Sequence, residues 1–370
     1  MQLGMFMQPV HDPSRDYTEC LQQDRETIIL ADKLGFAECW IGEHITATTE
    51  PITSPLVFLA SLLNETRQIK LGTGVFCLAI KHPAIVAAEA ALFDHLAKGR
   101  FQMGIGPGGL SSDMDLFGVT PDINRGEMVK ESINAILKIW SSEPPYEIEG
   151  KFWNFKITDM SRTEEFGVGV IPKPYQRPHP PLAVSIMTPD SMSAYAAGLN
   201  GWIPISGASL VQPRYVASHW TKYCEGAAAA GRPAPSPEIW RVARSILVMD
   251  SDAEAEDHIA NPDGPFNYFY RYMLGSFTHR GAPWLIRPDG REEDDSVDWH
   301  HCALSQLAYG SPKTVLDKLV WLRDVVGDFG TLTVTAHEWD DPEVHRRSLT
   351  RLVEEVMPRF EQHMSALRAA

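Results

Sequence analysis

The sequence has no long hydrophobic run, few cysteines and no surplus of positive charge. No apolar stretch approaches the roughly 20 residues needed to cross a bilayer, and the first residues lack the basic leader and apolar core of a signal peptide. The five cysteines are widely spaced without a Cys-x-x-Cys pair, which argues for free thiols in a reducing compartment and against a zinc site. The net charge of −15 disfavours nucleic-acid binding. We therefore expect a cytoplasmic protein without a membrane or nucleic-acid partner.

Short apolar segments alternate with amphipathic helical patterns along the 370 residues. Each of eight segments has the length and composition of a strand, and each is followed by a helical pattern. Doubly wound sheets usually contain five or six such units, whereas eight units close into a barrel. The sequence therefore predicts the α/β class, with a single (β/α)8 TIM barrel over residues 1–370. The predicted strands are 2–7, 37–42, 69–78, 101–105, 182–186, 201–205, 241–249 and 331–335.

Two segments interrupt this alternation and are predicted to be insertions. Residues 141–181 are rich in proline, glycine and aromatics. Residues 262–301 contain six aromatic residues between Tyr268 and Trp284, followed by an acidic run that we interpret as a solvated loop. The aromatics either form a lid over an apolar pocket or pack the insertion onto the barrel, and we favour the lid. His300 and His301 have no carboxylate at ligand spacing, so no metal site is predicted.

The helix after the third strand contains apolar residues at helical spacing. Ile85, Ala88, Leu92 and Leu96 recur every three or four positions. We expect this stripe to be buried against the sheet.

Chemistry in such barrels takes place at the carboxyl ends of the strands. His44 follows the second strand, where it is either a base or hydrogen-bond donor, or a structural histidine satisfied by the adjoining Glu43. His82 follows the third strand and either contacts a ligand or caps the next helix. Cys77 has no neighbour in the sequence that would lower its pKa, so core packing is its expected role.

The fourth strand ends in the glycine-rich segment Gly104-Ile105-Gly106-Pro107-Gly108-Gly109. It matches G-x-G-x-x-G literally, but a dinucleotide fingerprint follows the first strand of its unit and opens a helix at once. We interpret the match as a coincidence. The glycines, Gly106 among them, permit a close approach of the backbone to a flat ligand.

Two positions have the chemistry of a phosphate site. Arg125 lies in the first turn of the fourth helix and either binds phosphate or pairs with Asp122 or Glu127. The turn Met187–Ser191 follows the fifth strand and supplies hydroxyls and amides at a helix start. The alternative for this turn is ordinary helix capping.

Taken together, these segments resemble the bacterial luciferase-like flavin monooxygenases, and the similarity covers nearly the whole chain. Within that family, the Gly-Pro-Gly-Gly loop, the following Asp113 and the late Ala336-His337 most resemble limonene monooxygenases and the diketocamphane (type II Baeyer–Villiger) monooxygenases. The segments that carry the resemblance are Gly42-Glu43-His44, residues 69–75, His82-Pro83, residues 99–109, residues 183–191 and Tyr309-Gly310-Ser311-Pro312.

The resemblance implies a two-component enzyme that receives reduced FMN from a separate flavin reductase. In such enzymes the flavin reacts with O2 to give a C4a-hydroperoxide, which inserts one oxygen atom into an organic substrate by epoxidation, hydroxylation or Baeyer–Villiger insertion. A dry pocket is needed to protect that species, so a small apolar substrate is expected. The resemblance also implies a homodimer that packs through helices of the second and third units.

The resemblance assigns roles to individual residues. His44 matches the active-site histidine, Gly74-Val75 a cis peptide against the flavin ring, and Arg125 and Ser191 phosphate-binding positions. Pro107 replaces a phosphate-proximal arginine of the luciferase, which assigns more of the phosphate binding to Arg125 and to the turn after the fifth strand. The remaining expectations are Gly106 and Met187 at the cofactor, with Phe6, Glu43, His82 and Trp284 at the substrate pocket.

Three alternatives remain open. An F420-dependent hydride-transfer oxidoreductase would share the barrel, but its anionic cofactor favours a basic cleft that is not evident in the sequence. A non-catalytic flavin-binding protein would keep the fold without turnover. A glycosidase would need paired carboxylates at strand ends, and the only candidates are Glu43 with either Asp250 or Glu338.

Overall fold

A computed structural model describes residues 1–207 and 210–369 of the chain. Strands and helices alternate from the first strand onward and are numbered here in chain order. The strands are β1 (Gln2–Met7), β2 (Glu38–Ile41), β3 (Lys70–Cys77), β4 (Phe101–Gly106), β5 (Glu147–Glu149), β6 (Asn154–Lys156), β7 (Leu182–Ile186), β8 (Ile203–Ser206), β9 (Arg241–Val248), β10 (Leu307–Gly310) and β11 (Thr331–Ala336).

The helices follow the strands as the sequence predicts, with several boundaries shifted. They are α1 (Tyr17–Lys33), α2 (Pro55–Ala60), α3 (Pro83–Ala97), α4 (Ser111–Leu116), α5 (Arg125–Ser141), α6 (Met192–Asn200), α7 (Pro213–Ala229), α8 (Asp252–Ala260), α9 (Pro265–His279), α10 (Trp299–Gln306), α11 (Pro312–Val326), α12 (Pro342–Arg351) and α13 (Met357–Ala369). A π-helical turn, Leu352–Val356, joins the last two.

The main sheet has the strand order β10-β9-β11-β1-β2-β3-β4-β7-β8, and β8 pairs in addition with β9. The pairs β1–β11, β3–β4, β8–β9, β9–β11 and β9–β10 are all parallel. Eight of these strands are the predicted ones, so the (β/α)8 barrel fold is confirmed. The ninth, β10, extends the sheet beside the carboxyl-terminal half of β9 and was not predicted from the sequence.

The chain divides into two compact units. The first consists of residues 1–39, 48–51 and 184–370, and the second of residues 40–47 and 52–183. The first unit therefore contains β1 and β8–β11 with their helices, and the second contains β3–β6 with α2–α5. The prediction of one domain with insertions remains a prediction.

Helix α3 buries a different face from the predicted one. Its buried residues are Pro83, Val86, Ala87, Ala90, Ala91, Phe93, Asp94 and Ala97. Ile85, Leu92 and Leu96 are exposed at 57%, 59% and 55%, so the predicted stripe is wrong. Both faces of the helix are apolar, and periodicity alone does not tell which one packs. The alanine face allows a close approach, in which the indole of Trp140 donates to Ala87 O at 3.0 Å.

The two predicted insertions contain regular structure. Residues 141–181 hold the antiparallel hairpin β5–β6 and two short 3-10 turns. Residues 262–301 hold α9 and the start of α10. Asp298 is the N-cap of α10, and His301 completes its capping box, with Nδ1 of His301 2.6 Å from Oδ1 of Asp298.

The described residues contain no helix that is long and apolar enough to cross a membrane. All five cysteines are free thiols. Over the same described ranges, no cluster of three or more His, Cys, Asp or Glu residues is arranged to hold a metal ion.

Candidate active site

In the second unit, His44 lies just past the carboxyl end of β2 and is held by a carboxylate from another element. Its Nδ1 atom is 3.2 Å from Oδ2 of Asp113, which lies in α4 beyond the glycine-rich loop. The side chain of His44 is 17% exposed and that of Asp113 is 5% exposed. The sequence left open whether the adjoining Glu43 satisfies His44, and the carboxylate found at Nδ1 is that of Asp113.

Asp113 is fixed by further donors from the same segment of chain as His44. Its Oδ1 atom accepts from the backbone amides of Ile45 and Thr46 at 3.1 and 2.8 Å, and from the hydroxyl of Thr46 at 2.6 Å. A carboxylate anchored in this way orients the imidazole and favours the tautomer with hydrogen on Nδ1. In that tautomer, Nε2 is the ring nitrogen that carries the lone pair.

Glu43 has a different environment from its neighbour. Its side chain is fully buried and lies 2.6 Å from Nζ of Lys81. Its Oε2 atom also accepts from the backbone amide of Cys77 at 3.2 Å. Burial raises the pKa of Glu43, and the charge of Lys81 opposes that rise. The pair therefore ties the end of β2 to the end of β3, and the substrate-pocket role of Glu43 remains a prediction.

The thiol of Cys77 is buried beside this pair, and burial raises its pKa to about 12. It packs in an apolar cluster with Ala79, Ile80 and Met114. The expectation of a packing role rather than a reactive thiol is confirmed.

The glycine-rich ends of β3 and β4 are packed closely together. The peptide bond between Gly74 and Val75 is cis, as the resemblance implies. A Cβ atom at Gly106 would lie 2.7 Å from Cγ2 of Val75, and one at Gly108, where φ is +76°, would collide with Cys77. Packing between strands is thus sufficient to require these glycines, and their contact with a flavin ring remains a prediction.

Arg125 and His82 are both placed by helix starts in the second unit. Arg125 is the first residue of α5, and its Nη1 atom donates to Gly108 O at 3.0 Å. Within the described residues it forms no ion pair with Asp122 or Glu127. His82 caps α3, with Nδ1 accepting from the amide of Ala84 at 3.2 Å, which confirms the capping alternative. Burial lowers the pKa of His82, and its ring packs on Trp153 and Phe155.

In the first unit, the turn after β7 forms a helix start. Ser191 is nearly buried and caps α6, its Oγ atom accepting from the amide of Ser193 at 3.1 Å. Asp190 has a positive φ of 50°, and its amide donates to Ser218 Oγ at 2.9 Å. The capping alternative is confirmed for Ser191, while phosphate binding by Ser191 and cofactor contact by Met187 remain predictions.

A second histidine, His337, lies at the carboxyl end of β11 in the first unit. It is buried, and its Nε2 atom is 2.8 Å from the hydroxyl of Ser245 in β9. Burial lowers the pKa of His337 to about 3, so the ring is neutral. The rings of Phe266 and Phe269, both in α9, pack against it with centroids 4.9 and 4.4 Å away.

Residues 331, 333, 335 and 337 share one face of β11 because side chains alternate along a strand. The hydroxyls of Thr331, Thr333 and Thr335 and Nδ1 of His337 are buried without a hydrogen-bond partner among the described residues. Such groups require polar partners in a working protein. This row of groups on β11 fits a polar ligand.

The aromatic residues of the second insertion fall into two groups, one that is buried and one that forms hydrogen bonds through its hydroxyls. Phe266, Phe269 and Tyr270 are buried in the first unit, which is the packing alternative. On the other side of α9, the hydroxyls of Tyr268 and Tyr272 contact Thr49 and Glu50 at 3.0 and 2.6 Å.

Of the two remaining substrate-pocket predictions, Phe6 is buried in β1, and Trp284 packs edge-to-face on Tyr215 with centroids 5.4 Å apart. Both belong to the first unit, as do Met187 and Ser191. The other predicted site residues lie in the second unit, and they are Glu43, His44, Gly74, Val75, His82, Gly106 and Arg125.

Comparison with known proteins establishes the family. The model of the luciferase-like monooxygenases matches residues 1–328. The chain belongs to the luciferase-like monooxygenase family. With this, the prediction that it is a monooxygenase enzyme is confirmed.

This luciferase-like monooxygenase is similar in sequence or structure to the following three proteins. It is 30% identical to 4-hydroxyprotoasukamycin monooxygenase of Streptomyces nodosus subsp. asukaensis, over 99% of this chain and 94% of the relative. It is 26% identical to limonene 1,2-monooxygenase of Rhodococcus erythropolis, over 96% and 86%. The solved oxygenating constituent of 3,6-diketocamphane monooxygenase from Pseudomonas putida, a type II Baeyer–Villiger enzyme in complex with FMN, superposes with a TM-score of 0.85 at 27% identity, covering 97% and 98% of the two chains.

The sequence of this luciferase-like monooxygenase predicts some site residues but not the side chains that bind them. Asp113 and His337 were noted only as parts of a resemblance, and Ser245 and Lys81 were not singled out. A usable signal existed for Lys81, since it lies four residues after the end of β3, in the loop where barrel enzymes carry functional groups.

Proposed function

We propose that this protein is the oxygenase component of a two-component flavin monooxygenase. It takes reduced FMN from a separate reductase and uses O2 to oxygenate a small apolar organic substrate. The single observation that carries the proposal is the His44–Asp113 pair at the end of β2, in a chain of this family. The relative solved with FMN, described as an oxygenating constituent, supports both the cofactor and the need for a reductase.

Each unit, taken by itself, contains donor groups of the kind that bind FMN. Arg125 offers a guanidinium group that makes one hydrogen bond to a carbonyl, and Ser191 offers a hydroxyl at the start of a nine-residue helix. Both are groups that bind phosphate. The unpartnered hydroxyls of Thr333 and Thr335 fit the polar edge of a flavin ring. Bound reduced FMN would supply the electrons that activate O2.

The protein's own contribution is to position one proton and exclude water. Asp113 would orient His44 through Nδ1, and Nε2 would hold or deliver a proton at the reacting oxygen. The apolar residues of α9 keep the surroundings of His337 dry and the ring neutral. A dry environment prevents loss of activated oxygen as peroxide.

The test is rapid anaerobic mixing of the protein with reduced FMN, followed by oxygenated buffer. We expect oxidised flavin absorbance to return more slowly than in a control without protein, and substrate candidates such as terpenes and cyclic ketones to accelerate its return. Reoxidation at the rate of free flavin would contradict the proposal. Tight binding of F420 with hydride transfer would then favour the deazaflavin oxidoreductase, and flavin binding without turnover would favour a non-catalytic flavin-binding protein.

We also propose a homodimer formed through α2 and α3 of the second unit. Val57 in α2 is 72% exposed, and the α3 row of Ile85, Leu92 and Leu96 is exposed beside it. Contiguous apolar surface of this kind marks a protein–protein interface. Leu92→Glu should convert the dimer to a monomer in sedimentation analysis, whereas Leu116→Glu, an exposed leucine of α4, should not. A monomeric wild-type protein would contradict this part of the proposal.

A further inference from the structure

A small cavity in the first unit lies away from the histidine of that unit. Its volume is about 190 Å3, and it is lined by residues of β9, α10, β10 and α11. Arg244 lines it, and Arg244 is adjacent in β9 to Ser245, the residue that contacts His337. Neighbouring residues of a strand point to opposite faces. Arg244 therefore points away from His337, towards the helices that cover the sheet.

Arg244 is a buried cation that lacks a counter-ion. It is 4% exposed, and its Nη1 and Nη2 atoms donate to Gln306 Oε1 at 2.9 Å and to Ser305 O at 3.2 Å. Burial lowers the pKa of Arg244 to about 10, so the group is still charged at neutral pH. No carboxylate of the described residues lies within ion-pair distance of it. A buried charge without a partner is costly, and three of its five N–H donors remain for a ligand.

Among the described residues, the carboxylate of Asp289 raises the pKa of Arg244 by its charge, after the larger contribution of Tyr270. Asp289 helps to keep Arg244 protonated, but its Oδ1 atom lies 3.2 Å from Nε of Arg214, which is its own ion-pair partner. Within the described residues, Arg244 therefore has no carboxylate of its own at ion-pair distance.

Lys318 in α11 is a second cation on the same cavity. Burial lowers its pKa to about 8, with a contribution from the charge of Arg244, while Asp252 and Glu256 oppose the change. Its Nζ atom lies 3.1 Å from the centre of the Tyr309 ring. The rest of the described lining is apolar apart from Ser305, and none of it is acidic. The cavity thus combines two positive charges with apolar walls.

We propose that this cavity binds a small organic monocarboxylate, with its charge balanced by Arg244 and Lys318. Its apolar part would pack against Leu304, Leu307 and Trp321. Arginine is well suited to a carboxylate because its planar fork donates in pairs. The cavity is smaller than the ~300–1,000 Å3 pockets of drug-sized ligands, which limits the ligand to a short-chain or single-ring acid. The inference does not depend on the proposed oxygenation reaction.

Isothermal titration of the full chain, with and without added FMN, tests this site. Sodium benzoate and sodium hexanoate are the probes, with ionic strength held constant, and benzamide is the uncharged match for benzoate. We expect one saturable benzoate site per chain, with benzamide at least tenfold weaker. Lys318→Gln should weaken benzoate binding at least tenfold, and Arg244→Gln should weaken it further. Lys313→Gln, an exposed lysine of the same helix, should leave it unchanged.

The variants also locate the ligand. Arg244 is buried, so its replacement can unfold the chain, and Lys318→Gln then carries the charge test. Ala308→Leu fills the cavity from β10 and should abolish benzoate binding while the melting temperature is retained. Absence of saturable benzoate and hexanoate binding would overturn the proposal, as would wild-type affinity in Lys318→Gln or Ala308→Leu. Binding of inorganic phosphate in place of both acids would also overturn it.

Discussion

Two histidines lie at carboxyl ends of barrel strands, one in each unit, and their surroundings differ in the chemistry they allow. His44 is partly exposed and is held by the carboxylate of Asp113. His337 is buried among aromatic rings and is held by the neutral hydroxyl of Ser245. A carboxylate partner supports a ring that gains and loses a proton, whereas an apolar surrounding keeps the ring neutral. A position at the end of a strand is common to both histidines. The hydrogen-bond partner of the imidazole ring, a carboxylate for His44 and a hydroxyl for His337, is what distinguishes a candidate for proton transfer.

Replacing His44 is expected to give the largest effect. His44→Ala should lower the rate of product formation by ~10²–10⁴-fold, because the proton donor is lost, and most of the O2 consumed should then appear as hydrogen peroxide. Product and peroxide are measured in the same coupled assay, and circular dichroism checks the fold. His363→Ala removes an exposed histidine as a control. An undiminished product yield in His44→Ala would remove His44 from the mechanism.

We propose that Asp113 positions the ring of His44, and a substitution at Asp113 can test the effect of its charge without changing the size of the side chain. Asp113→Asn keeps the size of the side chain but removes the carboxylate beside Nδ1, so kcat should fall by ~10–100-fold with little change in KM. The pH profile of kcat should also shift, which a purely structural role would not cause. Asp115→Asn alters an exposed residue of the same helix and should behave as wild type. A fall in stability without a shift of the pH profile would contradict the positioning role.

The comparison of the two units extends to the residues that are proposed to bind the phosphate of FMN, Arg125 in the second unit and Ser191 in the first. Arg125→Ala should weaken binding of reduced FMN by about 10- to 150-fold, because a charge-assisted hydrogen bond to phosphate is worth about 1.5–3 kcal/mol. Ser191→Ala should weaken it less, because a hydroxyl carries no charge. Anaerobic fluorescence titration measures both, with Lys130→Ala as the control in the helix of Arg125. Equal flavin affinity in wild type and Arg125→Ala would reject the assignment.

The fold could be predicted from the sequence because strand length and helical spacing are local signals. All eight barrel strands were located, and β1 and β7 agree residue for residue. Local signals failed where packing decides the outcome. Helix α3 is apolar on two faces, so its buried side was assigned wrongly. Helix α1 begins at Tyr17, where Asp16 caps it through the amides of Thr18 and Glu19.

The candidate site could be predicted only in part, for the same physical reason. His44 and Arg125 were identified from their places after a strand and at a helix start. The partner of His44 is 69 residues away in sequence, and no spacing rule connects the two. The uncharged state of His337 depends on α9, whose residues precede it by about seventy positions and enclose it only after folding. Such partnerships are properties of tertiary structure.

The smallest expected effect concerns the neutral histidine. The pKa of His337 in the folded protein is lowered by burial to about 3, below its ordinary value of 6.5, so protonation favours the unfolded chain. The stability contributed by the neutral ring is present above pH 6.5 and is lost progressively as the pH falls towards 3. Between pH 6.5 and 5.5, the free energy of unfolding of the wild type should fall by about 1 kcal/mol more than that of His337→Gln.

Urea unfolding at the two pH values measures this difference. His345 and His219 have pKa values lowered by burial to about 3 and about 4, and they remain in both proteins, so their contributions cancel. His363→Gln, which changes an exposed histidine, should show the wild-type pH dependence. Equal pH dependence in wild type and His337→Gln would mean that His337 gains a proton in the folded protein. The distinction between the two strand-end histidines would then rest on exposure alone, and His337 would become a second candidate for proton transfer.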